Sequence, residues 1–361
     1  MAFLAVLQQE TWLSPLVRSL EGLVQWMFRL RDPKSDTLDN SVVSLFPSAD
    51  EVSKNFICMV ELIRACSRLI SVNINFTSQN ELAMVSSALH ASRPTLEMVH
   101  VEAGVGNFSI GVRSNINDKL VHEALLLPVF DQIEKLVLSG ISLDVSPPLG
   151  VTLPLKSLQI QQQYSHLSAI LQFLPSQSSR LVTFDIRFSR ADAVSLTTLL
   201  DAMPSTLESL SLQCGPSHDL LVFRPSRTEY SRNQSLPPIP LENLSRLTHL
   251  RTLKLTGFQG PSLTLLSNLS NSSPHLVHLD FSQSFWIAHN GLDTTSSRTI
   301  LHSIFPQEEI LQALTSFKFL QYPHLGYLPT RTRQRLHPLQ TWMTALGVDM
   351  QWVECRPHHA D

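Results

Sequence analysis

The chain has 361 residues, 43% of them hydrophobic and 16% charged, with a formal net charge of −3. This composition excludes a disordered chain, and the charge balance excludes a dedicated electrostatic footprint for nucleic acid. No apolar run approaches the roughly 18 residues that cross a bilayer, and the four cysteines do not fall into metal or disulfide spacing.

Residues 1–48 are expected to cap the N-terminal end of a sheet. Within them Leu13, Leu16, Val17 and Leu20 have the spacing of a degenerate strand. Leu23, Val24, Met27 and Phe28 follow with helical spacing, and Asp32-Pro33-Lys34-Ser35-Asp36 reads as a turn. The opening segment, Met1 to Leu7, is apolar but lacks a basic start and gives way to Gln8-Gln9-Glu10. It does not read as a secretory signal, so with unpaired thiols the expected location is cytoplasmic or nuclear. Ser48 with Glu51 forms a capping box. It predicts a helix running to about Cys66 that buries Phe56, Met59, Val60 and Ile63.

From Leu69 onward one pattern keeps returning: a leading aliphatic residue, two residues, an apolar residue, one residue, an apolar residue. It reads Leu69-Val72-Ile74, Leu96-Val99-Val101, Ile133-Leu136-Leu138, Leu155-Leu158-Ile160 and Leu181-Phe184-Ile186. It continues as Leu207-Leu210-Leu212, Leu250-Leu253-Leu255, Leu276-Leu279-Phe281 and Leu314-Phe317-Phe319. Four of the eight steps between leading residues are 26 or 27 residues long. A fixed period of this size signals a solenoid. Alternation at the fourth and sixth places predicts a half-buried strand in each unit. Between strands lie helical spacings: Asp192 to Met203, with Leu196, Leu199, Leu200 and Met203 on one face, and Ser165 to Phe173, Ser262 to Leu269 and Glu308 to Leu314. One such unit cannot order itself with three buried side chains, so the strands must stack into a parallel sheet. Residues 49–346 are therefore expected to form the solenoid, interrupted by a Pro-rich insertion at 215–240 and a break at Phe285 to Ser297. Arg331 to Leu346 has helical spacing, and residues 347–361 are expected to supply an edge strand, with Val348, Met350 and Trp352, and a tail.

These residues resemble leucine-rich repeats of the ribonuclease-inhibitor-like type, and Leu207 to Leu212 and Leu155 to Ile160 are similar to the strands of fungal F-box/LRR-like proteins. The resemblance implies an α/β leucine-rich-repeat solenoid, with a curved parallel sheet on the concave face and helices on the convex face. It also implies a substrate receptor of the ubiquitin-ligase kind, although a recognisable F-box is missing. Family repeats carry Asn or Cys three residues after the last strand leucine. This chain has residues such as Gln163, Ser189 and Phe258 there, so no asparagine ladder is expected.

Strand alternation sends the third, fifth and seventh places to the concave face. This predicts a polar lining that includes Asn73, His100, Gln159, Asp185, Arg187, Lys254, His278, Asp280 and Lys318. Such a lining suits a protein partner bound through hydrogen bonds, with few aromatic anchors. His278, Asp280 and Ser282 share one face, but same-face neighbours stand about 6.6 Å apart and point in parallel, unlike a converging triad. Cys355, His358 and His359 lack a fourth ligand and a rigid frame. Arg331-Thr332-Arg333-Gln334-Arg335 reads as a solvated helix start. The sequence thus predicts a monomeric, non-catalytic interaction module without cofactor, metal, nucleic acid or membrane. The alternative is a regulator of a small GTPase, with Arg187 and Arg190 as the candidate arginines.

Overall fold

The computed structural model describes residues 2–20, 49–74, 78–102, 128–139, 154–161, 167, 180–188, 193–214, 241–258, 263–282, 312–329, 337, 340–341, 343–345 and 347–355. They fall in two compact units, Met1–Gln162 and Gln163–Asp361. Both are α/β, with strands that pair in parallel and in chain order, as stacked strand–helix repeats would.

In the first unit a helix, α1 (Ala2–Gln9), and a 3-10 turn at Thr11–Leu16 lead into the two-residue strand β1 (Ser19–Leu20). Helix α2 (Ala49–Ala65) buries Phe56, Met59, Val60 and Ile63, the face expected of it. Strand β2 (Ser71–Ile74) follows, then α3 (Gln79–Leu89), β3 (Met98–Glu102), β4 (Lys135–Ser139) and β5 (Ser157–Gln161). Of the residues expected to begin a strand, Leu13 and Leu16 lie in the 3-10 turn and Val17 ends it, and only Leu20 is in β1, which pairs in parallel with β2 through Ser19–Ser71 and Leu20–Val72. Helix α3 starts on a local signal: the Ser78 hydroxyl accepts the Glu81 N–H at 3.2 Å. The helix then tightens to a 3-10 turn at His90–Thr95, where Pro94 cannot extend an α-helical ladder.

The second unit contains β6 (Thr183–Phe188), α4 (Ala193–Ala202), β7 (Ser209–Cys214), the single turn α5 (Leu241–Leu244), β8 (Thr252–Thr256) and α6 (Leu263–Ser272). Strands β9 (His278–Asp280), β10 (Tyr322–Pro329) and β11 (Gln351–Cys355) complete it. Helix α4 buries Leu196, Leu199 and Leu200, with Met203 just beyond its end, and α6 buries Leu265, Leu266 and Leu269. Both agree with the helical spacing in the sequence. The Pro-rich insertion at 215–240, the break at 285–297, and most of the 165–173 and 331–346 segments lie outside the described residues.

Every member of the first eight triplets is at most 4% exposed. Each therefore contributes a continuous three-residue patch of core, the hydrophobic gain that no isolated repeat could make large enough. A repeated main-chain device holds the strand entrances in register. The carbonyl of the second place in one repeat accepts two N–H groups from the next. Ile70 O takes Glu97 and Met98 N–H at 3.0 and 2.9 Å, Glu97 O takes Glu134 and Lys135 at 2.8 and 2.9 Å, and Arg251 O takes Val277 and His278 at 2.8 and 3.0 Å. Side chains at the second place thus stand side by side. Opposite charges meet there, with Lys156 beside Glu134 at 2.6 Å and Arg251 beside Glu208 at 3.7 Å.

After the strands, aromatic rings close the core where an asparagine ladder was not expected. Phe188 and Phe258 meet edge to face at 6.3 Å between centroids, and both are buried. Gly257 makes the approach possible. Its φ is +74°, and a Cβ there would stand 1.8 Å from the Cys214 carbonyl oxygen, so no other residue fits between these two strand ends.

One expected strand is displaced. Leu314-Phe317-Phe319 is not a strand triplet: Leu314 and Phe317 are buried ahead of the strand, whereas Phe319 is 51% exposed. The strand of the ninth repeat is β10, paired to β9 through Tyr322–His278, Pro323–Leu279 and His324–Asp280. Its triplet is Leu320-Pro323-Leu325, six residues later than the one expected. Proline at the fourth place withholds an N–H from the ladder and hides the strand from a rule that looks for apolar β-formers there. An edge strand forms as β11, but of the three residues expected in it only Trp352 is inside; Val348 and Met350 precede it, and Met350 is buried.

Candidate functional site

The polar places of each strand line up across the parallel ladders, because the register is one-to-one. In the first unit, β2 to β5 align Asn73, His100, Val137 and Gln159. The His100 ring Nε2 lies 2.7 Å from the Ser139 hydroxyl, and that hydroxyl donates to the Gln161 amide oxygen at 3.5 Å. Asn73 is only 7% exposed and offers a partner little surface. Val137, also on this row, is buried. This unit also has a groove of about 480 Å³ at the strand entrances, lined by Arg18, Ile70, Glu97, Met98, Lys135 and Lys156 among others.

In the second unit the fifth-place row reads Asp185, Ser211, Lys254, Asp280 and His324. The Arg187 guanidinium donates to the Gln213 amide oxygen from Nε and Nη2, at 3.4 and 3.2 Å. Gln213 in turn donates to Asp185 Oδ1 at 3.5 Å and to the Ser211 hydroxyl at 3.3 Å. Asp185 and Arg187 are therefore joined through Gln213, two rows of one polar network. Lys254 Nζ stands 3.3 Å from Asp280 Oδ2. On the other side of Asp280 lies His324, its Nδ1 4.0 Å from Oδ1. Burial pushes the Asp280 carboxyl up, but the hydroxyl and the N–H of Ser282 and the charge of Lys254 outweigh it and hold the group below the usual carboxylate range. The Ser282 N–H reaches Oδ1 at 2.7 Å.

The third-place row reads Thr183, Ser209, Thr252, His278 and Tyr322, aromatic in its last two members. His278 stacks on Tyr322, with ring centroids 4.4 Å apart and planes 13° from parallel. One turn earlier in the same two repeats, His275 stacks on Phe319 at 5.8 Å. Tyr322 and Phe319 are 46% and 51% exposed. The shifted strand puts Tyr322 and His324 on the sheet face and removes Lys318, which is exposed in the turn before β10. The face therefore has the aromatic anchor that the sequence reading did not find. The missed signal was Leu320-Pro323-Leu325, a triplet with the right spacing and a proline in the middle.

His278 and Asp280 lie in β9 and Ser282 in the turn just after it, and the three do not form a relay. Ser282 serves Asp280 and His278 lies flat on Tyr322, whereas a nucleophile and its base must share a hydrogen bond. Among the described residues no group of three or more His, Cys, Asp or Glu side chains is placed to hold a metal ion. His358, His359, the Cys355 side chain, Arg190 and the Arg331–Arg335 stretch lie outside what is described. Among the described residues no helix is long and apolar enough to cross a membrane. Cys66 and Cys214 are free thiols, and burial pushes each up to about 11.

Compared with protein-family models and with curated proteins, the chain matches none.

Proposed function

We propose that the parallel strands of both units are runs of leucine-rich repeats of the ribonuclease-inhibitor-like type, and that the chain is a monomeric, non-catalytic module of the cytoplasm or nucleus. It takes a protein partner on the face that carries the third, fifth and seventh places. This face is then the concave one, used as a substrate receptor of F-box/LRR type uses its sheet. The single observation that carries the reading is the register. Polar side chains stand in rows about 4.8 Å apart, and the main chain beneath them is paired to its neighbours in a parallel ladder. A surface of that kind holds its donors and acceptors at fixed spacing, so a partner is met without ordering much of the module first. Asp185, Arg187, Lys254 and Asp280 form the charged part of it.

The test is proximity labelling in cells with the wild-type chain and with Asp185, Arg187, Lys254 and Asp280 changed together to alanine. Partner recovery is expected to fall about tenfold or more, since truncating charged groups at an interface centre costs upward of about 2 kcal/mol. Unchanged recovery from a folded quadruple variant overturns the reading.

A further inference from the structure

Arg187 differs from the other cation of its sheet face in what it touches, and the difference bears on the partner in the interaction role proposed above, on which this inference rests. Among the described residues of that face in the second unit, the Lys and Arg side chains are Arg187 and Lys254. Lys254 stands 3.3 Å from the Asp280 carboxylate. Arg187 meets no carboxylate at ion-pair distance among the described residues, and its partner is the neutral amide of Gln213.

The way Arg187 is held decides which of its atoms are left over. A guanidinium is a flat fork with one donor edge made by Nε and Nη2 and another made by Nη1 and Nη2. Gln213 Oε1 takes the first edge, accepting from Nε at 3.4 Å and from Nη2 at 3.2 Å. The second edge, Nη1 with the outer N–H of Nη2, has no bond to a described residue. Gln213 is itself tied down, since its amide nitrogen donates to Asp185 Oδ1 at 3.5 Å and to the Ser211 hydroxyl at 3.3 Å. Arg187, Gln213 and Asp185 are all half-buried. The fork is thus oriented before a ligand arrives, and a bond made to it is stronger than one in open water.

Parallel N–H groups that carry a full positive charge match the paired oxygens of a carboxylate or a phosphate. The local charge selects between them. Asp185 lies two residues along the strand from Arg187, so the two together sum to zero. The cost of taking an ion out of water grows with the square of its charge, whereas its attraction to this nearly neutral pair grows only in proportion. A singly charged, planar carboxylate fits that balance better than a phosphate dianion.

We infer that the Nη1–Nη2 edge of Arg187 takes the carboxylate of an Asp or Glu side chain of the protein partner, with Gln213 as the positioning residue. The probe is a phage-displayed library of random peptides panned on the full chain. The peptide it selects is then made with a fluorescent label and titrated by anisotropy. The selected peptides are expected to carry Asp or Glu at one fixed position, and changing that residue to its amide is expected to weaken binding about tenfold or more. Arg187→Lys keeps the charge but gives up the fork, and is expected to weaken the acidic peptide about fivefold or more. Gln213→Glu keeps the shape but sets a carboxylate against the arginine. It is expected to erase the preference for the acidic peptide over its amide counterpart, a preference that a merely structural role for Gln213 would leave in place. No peptide selected, no acidic position among those selected, tighter binding of a phosphoserine version, or wild-type binding by Arg187→Lys overturns the inference. If it fails while the quadruple alanine variant still loses its partner in cells, the carboxylate is wrong and the sheet-face reading stands. If both fail, the sheet face is not the binding surface.

Discussion

Asp280 shows how a single carboxylate is fixed by its neighbours. Burial alone would raise it, but Ser282 and Lys254 reverse the sign and hold it below its ordinary value. A group lowered in the folded chain adds stability at pH values above its unfolded value. That stability is lost as pH falls through the lower folded value. Asp280→Asn keeps the shape and an acceptor for the Ser282 N–H but gives up the charge. Near pH 7 the substitution is expected to cost about 1.5–3 kcal/mol, the range of a hydrogen bond to a charged group. In urea titrations repeated at falling pH, the gap between the two proteins is expected to shrink below about pH 4, the ordinary carboxylate range. A gap of constant size down to the acid limit would show that Asp280 acts through shape and not through charge.

At the scale of the element, the sequence pattern placed eight of its strands correctly, because three buried residues with fixed spacing leave little freedom in register. It also placed the helices that repeat the 3.6-residue period, such as α2 and α4, whose buried faces are the ones the spacing named. It failed at β10, for two separate reasons. Leu314 and Phe317 are buried, and so imitate a triplet, but they pack ahead of the strand. The true triplet has Pro323 at its centre, a residue that argues against a strand. The candidate site inherited that error: Lys318 was placed on the face, and Tyr322 and His324 were left off it. The contacts between neighbouring repeats, such as Gln213 between Asp185 and Arg187, could not be read from alternation alone, since alternation gives the face but not the rotamer. The shifted register has a direct test in stability. Leu320 is 5% exposed and leads the true triplet, so Leu320→Ala is expected to cost about 2–5 kcal/mol. Phe319 is half exposed, so Phe319→Ala is expected to cost less than about 1 kcal/mol, with loss of its contact to His275. The opposite order in urea denaturation would restore the earlier triplet.

For the molecule as a whole, a stack of repeats distributes stability in a way a closed core does not. Each strand depends on the strands beside it, so protection should rise from a sheet's end toward its interior. In the first unit β1 is a two-residue strand held by one neighbour, β2, whereas β3 pairs over four positions with β2 and five with β4. The buried triplets Leu96-Val99-Val101 and Ile133-Leu136-Leu138 lie within that interior. Native-state hydrogen exchange, read by mass spectrometry on the full chain, is therefore expected to rank amides at 98–102 and 135–139 as the slowest of this unit. Those at Ser19 and Leu20 are expected to be among its fastest. The difference follows from the number of stacked neighbours, not from residue type: Leu20 is 5% exposed, so its side chain is buried about as well as Val101 at 4%. Equal protection along the series would mean that the unit opens only as one cooperative body. In that case the buried triplets are held by something other than their nearest repeats, and the additive picture of the stack fails with them.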